Sequence, residues 1–173
     1  MKDFVNTLFY GANGAFVWGE HVSEILMTAL LSMVPTFEGR YALVAAQAMG
    51  MPALPAYIIA VIFSTVPVPF LLLLLRPILD WMYTWPIKFV RRFAAWVDAR
   101  AERKKGSVDK LGLWGLYLFV AIPLPGTGAW TGSAIATLLK MDKKAALLTI
   151  IAGNMTACLI TTVLTYMGIS LFA

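Results

Sequence analysis

The chain has 173 residues, 60% hydrophobic and only 13% charged, with a mean hydropathy of +0.78 and a formal net charge of +5. Soluble domains carry about 25% charged residues, so this composition excludes an ordinary soluble fold and specifies a polytopic membrane protein, short enough for one membrane domain over residues 1–173. One cysteine rules out an intramolecular disulfide, a single histidine and no Cys/His cluster argue against a metal site, and without a P-loop or dinucleotide fingerprint no cofactor is expected.

In chain order, residues 1–21 are mixed and rich in Gly, Asn and aromatics, and are expected to form an interfacial or partly inserted helix. They lack the basic region and cleavage site of a signal peptide. Residues 22–76 form a first repeat. Residues 22–51 are a helical hairpin with Pro35-Thr-Phe-Glu-Gly-Arg40 at its tip, and 52–76 are an apolar span that Pro55, Pro67 and Pro69 are expected to bend. Residues 77–110 form a linker. The stretch 76–110 holds nine Lys/Arg against four Asp/Glu, which accounts for the whole net charge. In a membrane chain such a segment stays cytoplasmic and suits anionic lipid rather than nucleic acid. Within it, residues 86–105 read as an amphipathic helix, with Ile87, Phe89, Val90, Phe93, Trp96 and Val97 interleaved with Lys88, Arg91, Arg92 and Arg100. It either lies in the headgroup plane, anchored by Trp81, Tyr83 and Trp85, or packs on the protein itself. Residues 111–173 form a second repeat, with a hairpin over 111–141 and a charge-free span over 145–172.

The second hairpin is the most telling element. The run Leu111–Leu139 has no charge and is long enough to cross a bilayer, which takes about 20 residues. Its centre, Ile122-Pro-Leu-Pro-Gly-Thr-Gly-Ala-Trp-Thr-Gly132, is a poor helix former. Non-helical backbone at membrane depth is tolerated only where protein or water covers it, so the stretch reads as the tip of a re-entrant hairpin. Shifting the chain by ninety positions places Pro35 on Pro125, Ala46 on Ala136, Met51 on Met141, Ala56 on Ala146 and Ser64 on Asn154. The outgoing limbs, Tyr41 to Met51 and Ala129 to Lys140, would each be about 16–18 Å of helix, roughly half of a ~30 Å hydrocarbon core. With the linker cytoplasmic, and Lys140, Lys143 and Lys144 closing the second hairpin on that side, the repeats are inverted and their tips meet near the midplane. The expected fold is therefore an all-α membrane protein of two inverted repeats, each a re-entrant hairpin followed by a transmembrane helix, joined by a basic amphipathic linker. The alternative is four or five kinked spanning helices.

Glu38 and Arg40 are the only charges between Glu24 and Arg76. A charge near the bilayer centre costs about 3 kcal/mol or more and is a functional site by default. Whether Glu38 exchanges a proton near neutrality depends on the balance between burial, which raises a carboxyl pKa, and the adjacent Arg40, which lowers it. Arg40 stays charged and suits an anion in bidentate geometry. The bland reading is a pair that only holds the tip, or a shallow tip in contact with water. At the second tip, Gly126 and Gly128 let backbone approach a ligand, Thr127 is expected to cap the outgoing helix, Trp130 would stack on cargo, and Asn154 would bond a tip. Gly126, Gly128 and Gly132 would alternatively serve close helix packing. Thr161 and Thr162 are expected to bond their own helix, Cys158 to be an inert buried side chain, and His21 and Glu24 to sit at the outer interface. No catalytic set appears, and no enzyme is read.

The run Phe119-Val-Ala-Ile-Pro-Leu-Pro-Gly-Thr-Gly-Ala-Trp-Thr-Gly132 resembles the signature of the small multidrug export family, whose members resemble the DedA (VTT-domain) superfamily. At the first tip Pro35, Glu38 and Arg40 match the family pattern, while Val44 stands where a second proline is often found. The resemblance implies an inner-membrane transporter or flippase, coupled to protons at Glu38, with Arg40 contacting an anionic lipid-like cargo such as a polyprenyl phosphate. Export of small drugs and a non-transporting scaffold in the membrane are the alternatives. Membrane lipids and a homo-oligomeric partner are expected, since 173 residues make a thin wall around a cavity.

Overall fold

A computed structural model describes residues 21–35, 37–96, 99, 112–124 and 126–167. The expectations for residues 1–20, for Pro125 and for the linker beyond Trp96 lie outside these residues. Every regular element described is a helix: α1 (Val22–Met33), α2 (Glu38–Ala48), α3 (Ala53–Thr65), α4 (Pro67–Thr84), α5 (Leu113–Ala121), α6 (Ala129–Leu138) and α7 (Lys143–Tyr166). A further helical run covers 88–96. Two of these stretches, Ala53–Thr84 and Lys143–Tyr166, are long and apolar enough to cross a membrane.

Prolines set several boundaries. The residue before a proline is pushed into extended backbone. Val34, before Pro35, adopts φ −76° and ψ 131° and ends α1. Ile122, before Pro123, adopts φ −78° and ψ 120° and ends α5. Pro67 opens α4 after a break at Val66, whereas Pro55 leaves α3 uninterrupted. It sits in the first turn, where its missing N–H would have had no intrahelical partner. The first span also runs past its expected end at 76. Arg76 and Asp80 pair at 3.2 Å one turn apart on the helix surface, so these charges continue α4 to Thr84 instead of stopping it. The last span begins at Lys143 and is described to Tyr166.

The chain forms two compact units, one of residues up to Val66 together with those from Met155, the other Pro67–Asn154. In the first, α1, α2 and α3 pack on one another, and Ala29, Leu43, Ala46, Met51, Ala56 and Ile59 are central to the core. In the second, α4 and α5 pack on α6 around Val68, Leu72, Leu116, Val120, Ile135 and Ile150. Alanine is frequent in both, as expected where helices must approach closely without a hydrophobic drive between them. Buried hydroxyls are closed locally: Ser32, Ser64, Ser133, Thr161 and Thr162 each donate to the carbonyl four residues earlier at 2.6–2.9 Å. The first unit is also tied by long-range bonds. Gln47 Nε2 donates to the Thr165 carbonyl at 2.8 Å, and the Tyr166 hydroxyl to the Met51 carbonyl at 2.6 Å.

The same local arrangement occurs twice at the ninety-residue offset. After α2, the Met51 N–H donates to the Ala46 carbonyl and the Gly50 N–H to Gln47; after α6, the Met141 N–H donates to Ala136 and the Lys140 N–H to Thr137. Both are Schellman closures, which require a left-handed residue after the helix. Gly50 supplies it at φ 80°, but in the second copy Lys140 does so at φ 53°. Nothing lies within 4 Å of a Cβ built at Gly50, so substitution there meets only the backbone term. Gly50→Ala should therefore destabilise the protein by about 1 kcal/mol, and Lys140→Gly should stabilise it by a similar amount. Thermal unfolding in detergent micelles would read both; equal melting temperatures for both variants and wild type would refute the closure.

Candidate functional site

The first tip lies in the first unit. Glu38 opens α2 in the left-handed region, φ 53°, and its N–H donates to the Val34 carbonyl at 2.9 Å. Its N-cap residue, Phe37, makes no side-chain cap bond. A left-handed non-glycine residue costs about 1–2 kcal/mol. Ninety positions on, the equivalent residue is Gly128, with φ 148°, a region open essentially to glycine alone. The first copy thus keeps a carboxylate where the second uses the residue that avoids the strain.

Glu38 and Arg40 are both buried, 6% and 5% exposed. They are one residue short of a helical neighbour relation, yet Arg40 is near enough to interact electrostatically with Glu38. Gly39 between them explains how the pair is carried inward. A Cβ there would lie 2.9 Å from Cys158 Sγ, 3.0 Å from Ser64 Oγ and 3.1 Å from the Ala60 carbonyl. Only glycine lets the start of α2 press against α3 and α7 at this depth. Ser64, Cys158 and Gly39 therefore frame the charged pair, and none of the three was singled out for this role from sequence. The signals were present: a glycine between the two charges, and a ninety-residue shift that pairs Ser64 with Asn154.

The remaining sequence-derived residues, Gly126, Thr127, Gly128, Trp130 and Asn154, all lie in the second unit. Gly126 is exposed, Gly128 and Asn154 are buried, and Thr127 and Trp130 are half-buried. The expected cap is corrected. Gly128, not Thr127, occupies the N-cap of α6, and the Thr127 hydroxyl turns back toward the Leu124 carbonyl at 2.8 Å and the Ile122 carbonyl at 2.9 Å. Proline at 123 ends α5 and leaves those carbonyls outside its ladder, and Thr127 closes one of them with its single proton. Gly132 does serve helix packing, since a Cβ there would lie 2.6 Å from Val120 Cγ2. The φ of Gly128 shows a conformational requirement instead. His21 and Glu24 lie 3.8 Å apart at the start of α1, away from the tip.

The framing of the charged pair predicts a coupling. Gly39→Ala should destabilise the protein by roughly 1–3 kcal/mol, the range for overpacking a tight interior. Cys158→Ala in the same chain should recover part of that loss by removing the nearest atom. A double-mutant cycle of melting temperatures would show this as non-additivity; strict additivity would mean that α2 and α7 are not in contact at Gly39.

Among known proteins, the family model described as "Putative small multi-drug export protein" matches residues 38–160. The match begins at Glu38 within the first tip and takes in the second tip, the linker and most of α7. No curated protein and no solved structure matches the chain. The family is one of membrane transporters, in keeping with the apolar helices, and the chain, matched over more than two thirds of its length, belongs to this small multi-drug export family.

Proposed function

We propose that the protein is a proton-coupled transporter or flippase for an amphipathic, anionic, lipid-like cargo, with Glu38 as the proton site and Arg40 as the anion contact. The observation that carries this reading is the strained, buried Glu38 beside buried Arg40. Two charges taken out of water and a left-handed carboxylate all oppose folding. A packing role would be filled at lower cost by apolar residues. Strain of this kind clusters where function needs it. The guanidinium of Arg40 offers a planar fork matched to phosphate or carboxylate.

The same unit supplies a place for an apolar tail. Ala53, Leu54, Leu159 and Val163, with Tyr57 and Tyr166, line a groove of about 210 Å³. Its polar atoms are already used: Thr162 donates to the Cys158 carbonyl, Tyr57 to Met155 and Tyr166 to Met51. A charged pair and an apolar groove in one unit support an amphipathic cargo. In this reading the two hairpins are re-entrant and inverted in an inner membrane, the linker 77–110 is cytoplasmic, and the second tip, with Gly126, Gly128, Trp130 and Asn154, contributes to cargo passage. The family description favours a second reading, export of small drugs. For cationic drugs an acid without a cation beside it would be expected, and Arg40 counts against that.

Reconstituted vesicles would test both. A fluorophore-labelled polyprenyl phosphate should move faster than a labelled zwitterionic lipid and faster than a cationic dye. Glu38→Gln, which keeps shape and removes charge, should abolish the dependence of transport on pH between about 6 and 8. Arg40→Lys keeps the charge but loses the fork, and should weaken anionic cargo about tenfold with little change in expression. Wild-type behaviour of both variants would reduce the pair to a structural role, and preferential movement of the dye would favour drug export.

A further inference from the structure

A second charged feature lies in the other unit and has no part in the proposed transport site. The helical run 88–96 has three faces. Ala94 is fully buried and Val90 half-buried, and these pack on the protein. Phe89, Phe93 and Trp96, spaced four and three apart, form an exposed apolar face; Phe89 is 77% exposed, and the Phe93 and Trp96 rings stack at 6.0 Å. Lys88, Arg91 and Arg92 form the third face and, with Tyr83 from the end of α4, line a concave site of about 380 Å³. No acid lines it. The nearest acid upstream, Asp80, is engaged by Arg76.

We propose that Tyr83, Lys88, Arg91 and Arg92 form a binding site for the phosphate headgroup of an anionic phospholipid, with Phe89, Phe93 and Trp96 entering the adjoining acyl region. The argument is charge complementarity joined to position. Three cations converge on one concavity, with nothing of opposite sign among the described residues that line it. The site follows an apolar stretch that reaches from Ala53 to Leu75 without a charge, longer than the ~20 residues a span needs. The helix therefore begins where a span leaves the hydrocarbon, and Trp81 and Trp85, edge to face at 4.8 Å, are of the type that sits at headgroup level. A large exposed aromatic face beside a basic face is the pattern of a helix lying in the interface. On this proposal the linker helix takes up both roles open to it from sequence: one narrow face packs on the protein and the other two meet lipid. Arg91 and Arg92 both line the site, and the fork of either guanidinium suits a bidentate phosphate contact.

Each cation near an anionic surface contributes about fivefold in binding. Native mass spectrometry of the full chain in detergent, titrated with phosphatidylglycerol and with phosphatidylcholine, should show at least about tenfold preference for the anionic lipid. The Lys88→Gln/Arg91→Gln/Arg92→Gln variant should lose roughly ten- to hundredfold of that binding, and inorganic phosphate should not displace the lipid, because it lacks the acyl anchor. Equal retention of the two lipids, or unchanged preference in the triple variant, would overturn the proposal. Displacement by inorganic phosphate at matched concentration would overturn the lipid source and make this a free-phosphate site. Should the triple variant fail to fold, the wild type alone decides: its anionic preference should fall steeply as ammonium acetate rises from about 0.05 to about 0.5 M, and salt-independent preference would refute a charge-based site. None of these outcomes depends on Glu38 or on transport.

Discussion

A peptide group left without a hydrogen bond in hydrocarbon costs several kcal/mol, and the rest of this structure follows from how the chain meets that constraint where its helices stop. Prolines at 35 and 123 end α1 and α5, so each hairpin must close its own turn. At the first, the Glu38 N–H returns to Val34; at the second, the Thr127 hydroxyl returns to Leu124 or Ile122. At the far ends of α2 and α6 the Schellman bonds reach Ala46 and Ala136, and Met51 and Met141 pack beside them in their respective cores. In the first unit Gln47 and Tyr166 use side chains to satisfy further carbonyls. Helices of nine to twelve residues persist beside the two long apolar stretches because these closures leave little to be solvated.

Small residues then let the short helices approach. Gly39 seats α2 against Ala60, Ser64 and Cys158, while Gly132 and Gly153 both receive Val120 of α5. These contacts leave no slack at either place. Polar side chains of the interior mostly turn back on their own helix, which closes their hydroxyls locally. Glu38 and Arg40 are different in kind, because a charge cannot be satisfied by one local carbonyl. Their burial identifies the first unit as the place where the fold accepts an electrostatic cost, whereas in the second unit Lys88, Arg91 and Arg92 are exposed on a helix that also carries exposed aromatic side chains.

Much of this was legible in the residue order. The charge-free lengths gave membrane helices, the prolines gave the hairpin turns, and the ninety-residue shift anticipated a pairing that recurs in helix bounds and in hydrogen bonds. Glu38 and Arg40 stood out because they interrupt an uncharged stretch. Ser and Thr at membrane depth were expected to bond their own backbone, and Thr161 and Thr162 do so. The N-cap of α6 falls on Gly128 rather than Thr127, because the turn after Pro123 brings the carbonyls of Leu124 and Ile122 within reach of the Thr127 hydroxyl. The first span ended too early in the sequence reading because Arg76 and Asp80 look like a terminus until their pairing along the helix is seen.

The sequence by itself determined the solvent this protein lives in, the number of apolar stretches and the places where helices must stop, since these follow from hydropathy and from the covalent geometry of proline. The tertiary structure alone decided what surrounds the charged pair. That Gly39 faces a thiol from α7 and a hydroxyl from α3, that a glutamate adopts φ 53° where its counterpart is glycine, and that Lys88, Arg91 and Arg92 share one concavity with Tyr83 are matters of helix packing and rotation. Such relations join residues up to 119 positions apart, and no local propensity encodes them. They are fixed only when close-packed helices admit one arrangement of their small and large side chains.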